Sequence, residues 1–278
     1  MSTLRAGLIG AHISRTRLPA ALDIMCAQAG WTLEFDLIDT SGMPDFDFEA
    51  TLTRAQAEGW TGMTVTHPWK TQARAFAGDG MVPEAAHLGA SNTLVFGDTV
   101  AGYNTDYSGF RAVIAELGPL GDVVVMGAGG VAEAVVPALR VSQKPGAHVG
   151  LYDPDLTRAN SLAQRCGAGV HVLDQAALGQ HIDAAHGLIN CTPLGMAEYP
   201  GSAFAGFDLS PQPGKWAFDA VYTPVDTVFL RAAAQGGLTI LTGFDLFKAM
   251  AVRSFQAYTG LTVDQAIILP RLDALKPE

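Results

Sequence analysis

The stretch "VVVMGAGGVAEA", residues 123–134, decides the fold. Four apolar residues suit a buried strand, and Gly127, Gly129 and Ala132 then follow in G-x-G-x-x-G/A spacing ahead of a helix-like run. The glycines let the chain turn tightly and let its backbone approach a pyrophosphate, whose charge meets the free N–H groups at the start of the next helix. A Gly-rich turn with no ligand is the plain alternative, and the order strand, fingerprint, helix favours the dinucleotide reading. Gly127, Ala128, Gly129, Gly130 and Val131 are the candidate cofactor-binding residues.

Downstream, "LYDPD" at 151–155 ends the following strand on Asp153, where a carboxylate can accept hydrogen bonds from the ribose hydroxyls of NAD. Asp153 and Asp155 would meet the 2′-phosphate of NADP as like charges, so the expected cofactor is NAD rather than NADP. Asp153 is also placed to cap the next turn, and both roles can coexist.

On either side of the fingerprint, helix-like and strand-like segments alternate from residue 5 onward, which predicts an α/β chain with largely parallel sheets. The segments between 106 and 243 have the length and order of a doubly wound dinucleotide-binding domain. Residues 1–105, joined by the helices of 244–278 returning to them, are expected to make the substrate and catalytic domain.

The 278 residues are 49% hydrophobic with a net charge of −10 and no Lys/Arg cluster, so a polyanionic partner such as nucleic acid or an acidic membrane surface is not expected. The apolar run in "MSTLRAGLIGAH" is short for a signal peptide and no stretch has the length of a membrane span, which makes the cytoplasm the expected location. Cys26, Cys166 and Cys191 are scattered, and His181 and His186 lack the spacing of a helical metal pair, so neither disulfide nor metal is expected.

Seven segments carry a family resemblance: "SRT" at 14–16, "VTHPWK" at 65–70, "LGASNTL" at 88–94, "GYNTDYSGF" at 102–110, "GAGGVAEA" at 127–134, "NCTPLGM" at 190–196 and "DAVYTP" at 219–224. In this order the chain resembles the shikimate dehydrogenase family over nearly its whole length, and most of all the quinate/shikimate dehydrogenases. The resemblance implies that Lys70 and Asp106 face each other across the substrate. Oxidation of a secondary alcohol needs a group that takes the hydroxyl proton as hydride leaves carbon, and a lysine beside a carboxylate suits that task. Lys70 alone reads as a helix-opening surface cation; the two motifs together make it the candidate acid/base.

By the same resemblance Ser14 and Thr16 hold the substrate carboxylate, and Thr64, Thr66, Asn92, Tyr222 and Met250 occupy further substrate-binding positions. Thr192, Gly195, Met196 and Gly243 fall at cofactor-side positions. Two residues depart from the family pattern: Thr64 stands where Asn is usual and Met250 where a Gln is usual. Thr keeps one hydroxyl, but Met replaces a two-ended amide with an apolar group. The expected activity is NAD-dependent interconversion of alcohol and ketone on a cyclic polyhydroxy carboxylate, quinate or shikimate, by a monomer or homodimer. The alternatives are another hydroxy acid as substrate, or a dinucleotide-binding sensor without turnover.

Overall fold

The computed structural model describes residues 2–209 and 214–277. The chain divides into two compact units, 1–108 with 250–275, and 109–249 with 276–278.

The first unit runs β1 (Thr3–Gly10), α1 (Leu18–Ala29), β2 (Thr32–Asp39), α2 (Phe48–Ala57), β3 (Gly62–Val65), α3 (Lys70–Ala77), β4 (Thr93–Val95), β5 (Ala101–Tyr103) and the start of α4 (Thr105–Ile114). Its sheet has the order β2-β1-β3-β4-β5. β1 pairs in parallel with β2 and β3, but β4 and β5 run as an antiparallel hairpin on β3. This sheet is therefore mixed, within a chain whose strand pairs are otherwise parallel as expected. The β4–β5 connection shows why: residues 96–100 are too few for the crossover that a parallel pair needs, so the two strands close as a hairpin. β1 and β3 are almost wholly buried because they lie inside the sheet, whereas β2 at its edge is half exposed.

α1 shows why the local sequence chose its structure. Leu18, Ala21, Leu22, Met25 and Cys26 are buried at one-face helical spacing, and Gly30 ends the helix at φ 71, its N–H donating to the Ala27 carbonyl and that of Trp31 to the Cys26 carbonyl. From Met250 to Leu275 the C-terminal helices belong to this unit, whereas the first turns of α9 (Gly243–Thr259) belong to the second. α10 (Gln265–Leu272) packs on α1, and the later turns of α9 bring Tyr258 Oη within 2.6 Å of Thr64 Oγ1.

The second unit contains β6 (Val123–Met126), α5 (Ala132–Ser142), β7 (Val149–Tyr152), α6 (Leu156–Cys166), β8 (Val170–Val172), α7 (Leu178–Ala184), β9 (Gly187–Asn190), β10 (Trp216–Asp219), α8 (Val228–Gln235) and β11 (Thr239–Thr242). All its strand pairs are parallel, in the order β11-β10-β9-β6-β7-β8. Counted from β6, this is the doubly wound order 3-2-1-4-5-6 read from the other edge. The strand order reverses between β6 and β9, so the loops after those two strands flank the crevice where such sheets bind ligands.

Candidate active site

Topology collects Ser14, Thr16, Thr64, Thr66 and Asn92 at one end of the strands of the first sheet, whereas Met250 comes from α9 and Tyr222 belongs to the second unit. β1, β2 and β3 end there, β4 begins there and β5 ends there, since Ile9 pairs with Val65, Thr64 with Thr93, and Thr93 with Tyr103. The residues just beyond are Ser14 and Thr16 after β1, Thr66 and Lys70 after β3, Asn92 before β4 and Asp106 after β5.

Lys70 and Asp106, 36 positions apart, meet. Lys70 Nζ lies 2.7 Å from Asp106 Oδ2, with both side chains largely but not fully shielded, at 23% and 17% exposure. Lys70 is the first residue of α3, and the preceding Trp69 is wedged against Phe46 and Phe48 while its Nε1–H donates to Thr40 Oγ1 at 2.9 Å. The lysine backbone is tied as well: the Ser91 N–H donates to the Lys70 carbonyl at 2.9 Å. Asp106 sits in the first turn of α4, where Asn104 Oδ1 caps the Tyr107 N–H at 3.0 Å. Its neighbour Thr105 is gripped by Asn92, whose Oδ1 accepts from the Thr105 N–H at 2.7 Å and from the hydroxyls of Thr93 and Thr105 at 3.1 Å each. All three bonds go to the oxygen of the Asn92 amide and none of them uses its NH2.

Behind this lies a row of buried hydroxyls. Met250, Ser254 and Tyr258 follow one another at four-residue spacing along α9 and so share one face. Ser254 Oγ lies 3.1 Å from Thr105 Oγ1 and 3.6 Å from Met250 Sδ. A hydroxyl has one proton, so Ser254 can donate to only one of these at a time, and of the two acceptors the oxygen is the stronger. Thr64, 4% exposed, has its hydroxyl on Tyr258, whose phenol is pushed up by burial. No motif marks Ser254 and Tyr258, whose only signal is helical spacing and polarity within an apolar stretch, and Thr105 lies inside the segment "GYNTDYSGF" without a residue pattern of its own.

Ser14 is exposed and Thr16 half-buried on the loop between β1 and α1, where Thr16 Oγ1 accepts from the Leu18 N–H at 3.3 Å. That loop is tethered by Asp39 at the end of β2, which accepts from the N–H groups of His12 and Ile13 at 3.0 and 3.2 Å.

In the second unit, Gly127 follows β6 at φ 98, and a Cβ there would lie 2.8 Å from Thr192 Cγ2 and 2.9 Å from the Cys191 backbone. Only glycine satisfies both conditions. Over Gly129 and Gly130 a Cβ would meet nothing within 4 Å, so their backbone faces open space ahead of Val131 and α5. That bare backbone at a helix start is what a pyrophosphate requires. Asp153, 6% exposed, has Oδ2 on the Ala128 N–H and Oδ1 on the Asp155 N–H, both at 2.8 Å. It thus braces the fingerprint loop, while Asp155 caps α6 through the N–H groups of Thr157 and Arg158. The Arg158 guanidinium lies 3.5 Å from Asp155 and 3.9 Å from Asp153, more than half exposed.

The loop after β9 is organised by Asn190, which accepts from the Thr192 N–H and hydroxyl and donates to the Leu194 carbonyl and to Asp219 Oδ1. Asp219 is fully buried, and burial pushes its carboxyl up to about 6 against the pull of Thr227, Val221 and Asn190. Gly195 turns that loop at φ 113, ahead of the exposed Met196. Tyr222, three residues after Asp219, stacks on Phe247 at 5.8 Å. At Gly243 a Cβ would fall 2.5 Å from the Ala220 carbonyl oxygen, so that position also requires glycine. Asn190 and Asp219 open the segments "NCTPLGM" and "DAVYTP", where nothing in the local sequence marks them as organising a loop.

Residues 8–94 match the family profile described as the shikimate dehydrogenase substrate binding domain. A quinate/shikimate dehydrogenase (NAD(+)) of Corynebacterium efficiens is 35% identical over 270 residues, which cover 93% of each chain. The chain belongs to the shikimate dehydrogenase family. A family member from an Arthrobacter species, a shikimate dehydrogenase (NADP(+)), is 36% identical over 82% of this chain and 79% of its own. In three dimensions the chain is similar to quinate dehydrogenase from Corynebacterium glutamicum, solved in complex with NAD, with a TM-score of 0.89 and 32% identity over 99% of this chain and 100% of that one. The architecture is thus that of the shikimate dehydrogenases, with a Rossmann-type second unit.

Proposed function

We propose that the protein is an NAD-dependent dehydrogenase interconverting a secondary alcohol and a ketone on a cyclic polyhydroxy carboxylate of the quinate or shikimate type. The observation that carries this reading is the 2.7 Å contact of Lys70 with Asp106 on the sheet edge that also presents Ser14, Thr16, Thr66 and Asn92. When bound, NAD supplies the hydride acceptor. Gly127, Ala128, Gly129, Gly130 and Val131 suit its pyrophosphate, as the open space over Gly129 and Gly130 indicates. Asp153 keeps lone pairs for a ribose hydroxyl beyond its two backbone bonds, and together with Asp155 it opposes a 2′-phosphate.

In the oxidation direction Lys70 takes the hydroxyl proton, and in reduction it returns one from Nζ to the forming alkoxide. Asp106 accepts one Nζ hydrogen and so aims the amine, leaving its other positions for the substrate oxygen. The Asn92 NH2, uninvolved in gripping Thr105, is suited to a substrate oxygen. Ser14 and Thr16 hold the carboxylate, Tyr222 is a further substrate contact, and Thr192, Gly195, Met196 and Gly243 shape the cofactor side. A catalytic pair held this closely argues against a sensor without turnover. The reading has the enzyme act on a small acid in the cytoplasm, as a monomer or homodimer, without nucleic acid or membrane. A net charge of −10 speaks against a polyanionic partner, and among the described residues no helix is long and apolar enough to cross a membrane.

A second substrate is favoured by one specific observation. Thr64 has its hydroxyl on Tyr258, and Met250 offers only a thioether, so two positions that are amides in the family pattern present little to a polyol. A hydroxy acid less polar on that side would suit them better. Quinate and shikimate, each with NAD and with NADP, test the reading through formation of the reduced cofactor. NADH is expected from at least one acid, with slower NADPH formation; no reduced cofactor in any of the four mixtures breaks the reading, and faster turnover with NADP breaks its cofactor half.

A further inference from the structure

We infer that Asp39 is a positioning residue for recognition of the substrate carboxylate, acting through the loop that carries Ser14 and Thr16; this rests on the reading of those two residues given above. Asp39 ends β2 beside Gly10, the last residue of β1, so its side chain stands where the loop departs. Its Oδ1 accepts from the His12 N–H at 3.0 Å and from the Ser41 N–H and hydroxyl at 2.9 and 2.6 Å, and its Oδ2 from the Ile13 N–H at 3.2 Å. The bonds from Ser41 belong to a local turn that any Asp in this place could make. Those from His12 and Ile13, 27 and 26 residues away, are not needed for that turn and fix the loop instead.

The loop needs fixing. His12 has φ 58, alone among non-glycine residues described, and a histidine holds that conformation only when its surroundings impose it. Two residues later comes Ser14, then Thr16, whose N–H returns to the Ile13 carbonyl at 3.0 Å. Ile13 thus links Asp39 directly to the turn that aims both hydroxyls. The next residue, Thr40, holds Trp69 ahead of Lys70, so adjacent positions at the end of β2 steady the carboxylate loop and the lysine helix. With four donors, the Ser41 hydroxyl foremost, the Asp39 carboxyl is held down at about 2 and stays ionised throughout any assay range.

Charge and geometry make opposite forecasts. Asp39 is an anion on the same sheet edge as the loop that would receive an anion, so by Coulomb's law alone Asp39→Asn should tighten binding of the acid. If Asp39 positions the loop, Asn turns an NH2 toward an N–H donor, releases the turn and weakens it. The test is calorimetric Kd for quinate and shikimate and for their methyl esters, which lack the charge, in the wild type and in Asp39→Asn, with steady-state KM and kcat alongside. The expected result is a roughly tenfold rise in Kd and KM for the acid the wild type prefers, kcat within about threefold, and an ester Kd within about twofold of the wild type. Equal shifts for acid and ester, or an acid bound as tightly or more tightly, overturn the inference alone. A wild type that binds neither acid overturns it together with the functional reading. Asp39→Glu, which keeps the charge but displaces both oxygens, carries the same comparison if the Asn variant is recovered unfolded.

Discussion

The two units shape their functional loops by different means. In the second, the loop after β6 depends on what is missing: Gly127 has no room for a Cβ, and Gly129 and Gly130 leave their backbone bare. In the first, the corresponding loops depend on side chains that hold one another, Asn92 on Thr105, Ser254 on Thr105 and Tyr258 on Thr64, and on one that holds backbone, Asp39 on the N–H groups of His12 and Ile13. A site made by backbone resists change, because any side chain at all is an error. A site made by paired side chains can be rewired two residues at a time while the sheet stays as it is, and Thr64 and Met250 lie where that has room to happen.

The sharpest way to break this contrast is at the glycines. Gly127→Ala forces a Cβ against Thr192 and Cys191 at φ 98, and a loss of about 2 to 4 kcal/mol of stability is expected in chemical unfolding. Gly129→Ala meets no protein atom and should leave unfolding unchanged, yet lower NAD affinity at least about tenfold in calorimetry by filling space the cofactor needs. If both variants lose only stability, the fingerprint is a fold feature and not a site.

Asp219 offers a pH test within the second unit. Its folded carboxyl lies at about 6, above the ordinary value near 3.8, so the stability it contributes is full below about pH 4 and is lost as pH rises through 6. Unfolding free energies measured between pH 4 and 7 should carry a decline on the order of 1 to 3 kcal/mol that Asp219→Asn flattens. An unchanged profile in the variant would assign the decline to other groups.

The first unit is tested by restoring what the family pattern has. Met250→Gln gives Ser254 an amide neighbour and returns a two-ended hydrogen-bonding group to the site; KM for quinate or shikimate should fall roughly tenfold, the worth of one bond of about 1.4 kcal/mol. An unchanged KM for both acids would show that the natural substrate is apolar on that side.

The same contrast explains what was legible beforehand. The parallel sheet of the second unit could be read because its strands are continuous apolar runs separated by helices, and its fingerprint because a glycine requirement leaves a spacing. The β4–β5 hairpin could not, since "TLV" and "AGY" are too short for any periodicity, and α7 in "LGQHIDA" is a brief helix whose only buried anchors are Leu178 and Ile182. The meeting of Lys70 with Asp106 followed from family resemblance and not from spacing, because a contact 36 residues apart depends on that unread hairpin bringing Asn104 and Thr105 back to the edge where β3 ends. The roles of Asp39, Ser254 and Asp219 were hidden for a similar reason: each acts through a partner on another element, and no local pattern records it.

The central claim is that chemistry resides in the first unit and cofactor binding in the second, and Lys70→Ala tests it most directly when kcat and NAD affinity are measured on the same preparation. A fall in kcat of about 100-fold or more, with the calorimetric Kd for NAD within about twofold of the wild type, is the expected result. A variant that keeps near-wild-type kcat on its best substrate, or that loses NAD binding in proportion to turnover, would contradict the account.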